Sequence, residues 1–518
     1  MDRSHATRLA EAAGRGDLEA AVSITRDHWF DLALSLRSGV IEALEQVPPA
    51  SLREHPPLLM LLGMGYNLSP QRRARGMRYF ASAIFAVRSS RQTANPVDRV
   101  LVLTAESAAF RLIGRPALAV RPARAAIAAL ERMDAAALAR VSARAQIYAH
   151  LGISLYYGGR TGDALYAFQR GLAESPTPTH ASGFANPSML CGIHALDGDL
   201  GEAGAYAAIA REDRWTDVQR SWYPGTFYRV GEAMLALERF DAPAARAHLD
   251  AMVHDRRTIE HWQAVASTEA LVALVEGRAA AGLAGLDAFI TLRGPEGRRA
   301  GARSQLAAVR SLLHLAMGNA DAAERALQRF EGPSAVKYVA SARIALSRGR
   351  IGSALHDARV ASERADTSRV SVEAATVEAA CTLRIPGARR RRAAVEHLGE
   401  QLLATGLRLP VALLPPADCD SVRTALSDAG YTAIAEELPT CSLLGFDTPA
   451  AQLTDREIAV LRVMATVPSI AGIADHLRLS VHTVKSHRRS IYRKLDAQDR
   501  ETAIAIALDR GLISASER

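Results

Sequence analysis

"AQIYAHLGISLYYGGRTGDALYAFQRGLAESP", residues Ala145 to Pro176, is the stretch on which the reading of this 518-residue chain turns. Within it Gly159 is followed five residues later by Ala164. The same feature, Gly and then Ala or Gly five positions on, recurs at Gly16/Ala21, Gly114/Ala119, Gly198/Ala203, Gly277/Gly282, Gly318/Ala323 and Gly349/Ala354. A degenerate copy is expected in "LALERFDAPAARAHL" near Phe240. Composition fits an all-α chain: 49% apolar, Ala-rich and only 5% aromatic, with hardly any of the alternating Val/Ile/Thr runs that mark strands. The length would ordinarily suggest about three domains, but chains that grow by stacking repeats escape that rule.

Position by position, Ala145 to Pro176 resembles a tetratricopeptide repeat. Leu151-Gly152 sits in the first helix, Gly159 before the turn, Ala164 and Phe168 on the second helix, and Pro176 closes the unit. Gly171 stands where a small Ala is usual. The resemblance implies two antiparallel helices brought close by small residues, with Leu155, Tyr156, Leu165 and Phe168 between them. From Gly159 to Gly318, counting the degenerate copy near Phe240, the steps are roughly forty residues, longer than the usual repeat of about 34. An array of this kind presents a concave surface suited to a partner or ligand.

Nothing in residues 1–380 looks catalytic, and no enzyme is expected. There is no GxxxxGK[ST] and no GxGxxG after a strand. His248, His254 and His261 are spaced by six and seven residues without a closing Cys or Asp, which fits no standard metal site, and no cofactor is expected. The four cysteines, Cys191, Cys381, Cys419 and Cys441, form no CxxC pair; a reducing cytoplasm is the natural setting. The N-terminus does not read as a signal peptide, and the apolar run from Pro56 is too short and interrupted to span a bilayer, so no membrane partner is expected. In "RWTDVQRSWYPGTFYRV" and shortly after it stand Trp215, Trp222, Tyr223 and Trp262. They line either a sensor pocket for a small-molecule effector or the core between helices.

After about Cys381 the texture changes. Arg389 to Arg392 begin a helix and read as a solvated face, with an extra phosphate contact as the other reading. A further helix is expected from about Asp420 to Ala429, and "ELPTCSLLGFDTPAAQ" has the character of a linker. The expected organisation is a repeat region over 1–380, a helical extension and linker over 381–445, and a last domain over 446–518.

In that last domain, Thr454 and Glu457 form a capping box, followed by an apolar stripe at Ile458, Leu461 and Met464-Ala465. Ser469 is the expected cap of a second, short helix that buries Ile473, Ala474 and Leu477. A turn over Arg478 to Ser480 leads to a third helix, Val481 to Leu495, capped by Ser480. Two helices joined by so short a turn form a helix-turn-helix, whose second helix enters the DNA major groove. On that helix Val484, His487, Ile491 and Leu495 share the inward face, while Lys485, Arg489 and Arg493 recur every fourth residue on the other side, beside Ser486. Only three of the 63 Lys and Arg residues are lysine, Lys337, Lys485 and Lys494, and two of them fall here. A cationic ridge at this place suits double-stranded DNA.

Leu453 to Ile513 resembles the DNA-binding domain of LuxR-type regulators, through Leu453, Thr454, Arg456-Glu457, Val460-Leu461, Ala465, Ile473-Ala474, Leu477, Ser480, Thr483-Val484-Lys485, His487, Ile491 and Lys494-Leu495. The resemblance implies a four-helix domain that binds paired half-sites as a homodimer. It implies that Lys485, Ser486 and Arg489 face bases, while Ser480, Thr483, Arg488, Arg493 and Lys494 lie at the DNA interface among the phosphates. It also gives Thr502 and Ile506 to a dimerisation helix, and a packed structural role to His487. Two positions depart from the family: Val467 stands where Gly is usual, and Gly472 where Glu or Gln is. The latter forfeits a second capping box. The arrangement is similar to the large regulators related to the maltotriose-responsive activator, without their nucleotide-binding domain. It implies a DNA-binding regulator of transcription controlled by a small molecule or protein on the repeats; the alternative is a repeat scaffold whose helix-turn-helix does not serve promoter recognition.

Overall fold

The computed structural model describes residues 3–34, 39–67, 73–89, 95–174, 181–253, 256–257, 259–444, 453–495, 497, 499–509 and 512–513. Helices and turns account for the regular structure, and no strand occurs among the described residues. The linker at 445–452, Pro176 and His254 lie outside them. Two compact units divide the chain: Met1–Leu190 with Glu212–Gln219, and Cys191–Arg211 with Arg220–Arg518. No described helix is long and apolar enough to cross a membrane.

The recurring glycine is the turn of each helix hairpin. Gly16, Gly114, Gly159, Gly198, Gly277, Gly318 and Gly349 all have φ between 71° and 94°. That left-handed conformation closes the first helix and costs an L-residue with a Cβ about 1–2 kcal/mol. Near the expected degenerate copy Phe240 takes φ 57°, so the turn is kept without its glycine. The small residue five positions on is where the second helix meets its neighbours. Ala21, Ala119, Ala164, Ala203, Ala245, Ala323 and Ala354 are all fully buried. A Cβ at Gly282 would stand 3.0 Å from the Ala273 Cβ.

In the first unit the helices Arg144–Tyr157 and Thr161–Ala173 show how close the approach is. The Phe168 ring lies against Gly152, where an added Cβ would come within 2.5 Å of it. Gly171 is explained likewise: its Cβ would sit 2.5 Å from Oδ1 of buried Asn186, whose amide donates to the Ala145 carbonyl at 2.9 Å. Arg26 forks onto Asp98 at 2.6 and 2.9 Å.

In the second unit the hairpins from Thr226–Leu237 to Ile351–Glu363 share cores built on Trp262, Leu274, Leu286, Leu313 and Leu346. Leu409, Leu413 and Leu444, far along the chain, join the same core as Trp262. Glu238, 3% exposed at the end of a helix, ties these distant segments together. Its carboxylate accepts from the Arg369 guanidinium at 2.6 Å and from the backbone N–H groups of Arg408 and Leu409 at 2.8 and 2.9 Å. Arg369 also donates to the carbonyls of Ala195 and Leu196. Beyond this core, Arg389 and Arg390 are exposed and Arg392 pairs with Glu396 on the same helix, a solvated face.

Two glycines separate turn strain from helix propensity. Gly277→Ala, at φ 72° with open space around it, should lower stability by about 1 kcal/mol. Gly204→Ala, also in open space but inside the helix Leu200–Arg211, should raise it by roughly 0.5–1 kcal/mol. Thermal unfolding of the full chain reads both signs.

Candidate nucleic-acid interface

The C-terminal domain is set up by its caps. Thr454 and Glu457 make the reciprocal capping box of the helix Asp455–Thr466, with Glu457 N–H donating to the Thr454 hydroxyl at 3.3 Å and Thr454 N–H to the Glu457 carboxylate at 2.6 Å. The scaffold helix Ile470–Leu477 starts at Ser469, whose Oγ accepts from Gly472 N–H at 3.1 Å. It ends where Arg478 turns left-handed at φ 52°. The recognition helix Val481–Leu495 starts at Ser480, whose Oγ accepts from Thr483 N–H at 3.0 Å and meets the Thr483 hydroxyl at 2.8 Å. The last helix, Arg500–Asp509, is anchored by Arg500, which donates to the Met464 carbonyl at 2.7 and 3.0 Å.

One core holds the four helices: Val460, Leu461, Met464, Ile473, Ala474, Val484, Ile491, Leu495, Ala503, Ile504 and Ala507. Ile458, on the expected stripe, is only half-buried, and Val460 takes the deeper place. With Val484 and Ile491 turned in, Lys485, Ser486 and Arg489 face solvent. Neither Lys485 nor Arg489 has an ion-pair partner among the described residues. His487 is half-buried, and Arg488 lies with its guanidinium 5.8 Å from the Tyr492 ring. The Arg493 side chain lies outside the described residues. Thr502 is exposed, while Ile506 is partly buried and packs against the edge of this core.

Lys494 does not join the ridge. Its side chain is 14% exposed, and its ammonium donates to Glu457 at 2.7 Å. Burial by itself would raise the Glu457 carboxyl, but hydrogen bonds from Lys494, Ser490 and Thr454 outweigh it and hold the group at about 2. The two residues stand 37 positions apart, so no local spacing in the sequence announces the pair. The same carboxylate thus caps the first helix and pins the end of the recognition helix.

The two departures at Val467 and Gly472 meet in space. A Cβ at Gly472 would come within 2.7 Å of the Val467 Cγ1 and 2.9 Å of the Ser469 hydroxyl. The valine side chain occupies the room a residue at 472 would need, so the glycine accompanies it. The Ser469 cap survives without its reciprocal partner.

The aromatic residues of the repeats are dispersed among several environments. Trp215 is buried edge-on to Phe184 with centroids 5.3 Å apart. Trp262 is buried beside Phe289, its indole N–H donating to Glu296 at 3.3 Å and the Arg293 guanidinium 5.7 Å from its ring. Tyr223 stacks on His261 and donates to Glu260 at 2.6 Å, while Trp222 is 58% exposed. No group of three or more His, Cys, Asp or Glu residues among the described residues is arranged to hold a metal ion.

Residues 451–507 match the family described as bacterial regulatory proteins, luxR family (GerE). Similar curated proteins include the transcriptional regulatory protein YdfI of Bacillus subtilis (strain 168), 41% identical over 63 residues, and a nitrate/nitrite response regulator protein homolog of Haemophilus influenzae, 42% identical over 64. Each match covers 12% of this chain and 30% or 31% of the relative, so the chain spans about a third of the length of the curated relatives it matches. The C-terminal segment is a LuxR-family helix-turn-helix domain.

Lys494→Met should strand the Glu457 carboxylate and destabilise the domain by roughly 3 kcal/mol at pH 7. Because Glu457 is depressed from its ordinary 4.5, the stability it supplies is complete above that pH and lost as pH falls toward 2. Glu457→Gln should abolish that slope in acid-unfolding curves. Gly472→Glu should cost about 1–2 kcal/mol alone and much less in a Val467→Gly background, a coupling that chemical unfolding of the two single variants and the double variant measures.

Proposed function

We propose that this protein regulates transcription by binding specific DNA through residues 446–518 as a homodimer, under the control of its helical repeats. The observation that carries the reading is the solvent-facing row of Lys485, Ser486 and Arg489 on the second helix of a LuxR-family helix-turn-helix. Arg489 can pair with a guanine edge, Lys485 supplies a compact charge beside it, and Ser486 can bond either kind of base. Ser480, Thr483 and Arg488, at the start and flank of the helix, are the proposed phosphate contacts. Thr502 and Ile506 are the candidate contacts between two such domains.

The helical region, 1–380, is read as a tetratricopeptide-like sensor for a small molecule or protein. Residues 381–445 form its extension and linker to the DNA-binding end. The protein is not an enzyme on this reading, and it works in the cytoplasm. The names of its relatives support regulation in the domain that they share with it.

A random-DNA selection with the full chain and with residues 446–518, at two salt concentrations, tests the reading. The expected result is a shared palindromic motif whose enrichment disappears in Lys485→Ala and Arg489→Ala variants that keep their thermal stability. Loss of a phosphate contact would instead weaken all sequences alike and lower the salt slope by about one. If neither protein enriches a motif and residual binding merely fades with salt, the scaffold reading replaces this one.

A further inference from the structure

The third lysine of the chain has no part in the DNA-binding domain. Lys337 lies on the helix Ala335–Ser347 and borders a cavity of about 340 Å³ in the second unit. That volume falls in the range of small-molecule sites, roughly 300–1,000 Å³. The neighbouring helices Ala320–Leu327 and Ile351–Glu363 supply the other walls. Leu327, Ile344 and Ala345 are buried apolar residues along the cavity.

Charges of both signs reach this cavity, and no ion pair joins Lys337 to Asp357. Lys337 and Asp357 are both half-buried, and neither has a hydrogen-bond or ion-pair partner among the described residues. Burial raises the Asp357 carboxyl, against the pull of His356 and Arg350. Arg350 stands exposed at the same cavity. The remaining carboxylate, Glu324, is already engaged by Arg348 at 2.7 Å. Burial of the Asp357 carboxyl outweighs the pull of Arg350 and His356, and Lys337 makes no direct pair among the described residues. A ligand that brings an ammonium and a carboxylate supplies each of the two with a close partner. In a chain with only three lysines, a compact ammonium at this place also leaves room that a guanidinium fork would fill.

We propose that the cavity bordered by Lys337, Arg350, Asp357, Leu327 and Ile344 binds a free α-amino acid with an aliphatic side chain. The ligand carboxylate pairs with Lys337 and Arg350, its ammonium with Asp357, and its side chain lies against Leu327 and Ile344. The site deepens the sensor reading and rests on it for its biological meaning, but its chemistry stands apart from DNA.

Isothermal titration of the full chain with L-leucine, L-isoleucine, L-valine and L-methionine tests the proposal, without DNA present. Saturable binding of at least one is expected, weakened at least tenfold in Lys337→Met and in Asp357→Asn. The matching amide, which lacks the carboxylate, and the matching carboxylic acid, which lacks the ammonium, should each bind at least tenfold more weakly to the unaltered protein. These analogue arms decide the matter even if a variant fails to fold. No saturable heat with any of the four, or binding that folded variants or the analogues leave undiminished, overturns the proposal. A null titration leaves the regulator reading standing, and a failed DNA selection leaves a positive titration standing.

Discussion

The second unit depends on one buried carboxylate. Glu238 accepts from Arg369, 131 residues away, and from the backbone of Arg408 and Leu409, 170 and 171 residues away. Stacked hairpins ordinarily touch only their neighbours, so their stability is close to a sum of local terms. A charge 3% exposed changes that, because it is tolerable only while all its donors are present. Withdrawing any one segment leaves a buried anion under-satisfied, and the hairpins between them lose their independence. Leu409, Leu413 and Leu444 belong to the same core as Trp262, so apolar packing runs along the path of this polar tie.

Much of this was legible in the chain because it is local. A left-handed turn needs glycine, and a close helix approach needs a residue of at most one side-chain carbon, so the two leave a mark five positions apart. Phe240 shows the limit: the turn persists where the glycine does not, and only its regular spacing and Ala245 betray it. Gly171 was legible as a departure, but its reason, the Asn186 amide across the hairpin, is tertiary. The aromatic run reads equally well as pocket or core, since ring spacing carries no information on what faces the ring. Trp215 and Trp262 are packed, while Trp222 is open to solvent.

In the C-terminal domain the caps and the apolar stripe were readable from spacing, and the outward row of Lys485, Ser486 and Arg489 follows from three- and four-residue steps. The inward turn of Lys494 was not, because a long side chain near a helix end can reach either way and its partner lies on another helix. Val467 and Gly472 look like two separate losses on paper. Side by side they are one exchange of volume, in which the domain trades a reciprocal cap for a branched side chain at the same corner.

The scarcity of lysine has a consequence for covalent chemistry. Guanidinium groups stay protonated and unreactive at neutral pH, so nearly all the positive charge of this chain is inert toward acylating agents. Of the three side-chain amines, that of Lys494 is shielded in its pair with Glu457 and that of Lys337 is half-buried, whereas Lys485 stands exposed on the recognition helix. Acetylation would therefore fall first on Lys485, and a single acetyl group there would cancel one charge of the solvent-facing row while leaving the Glu457 clamp intact.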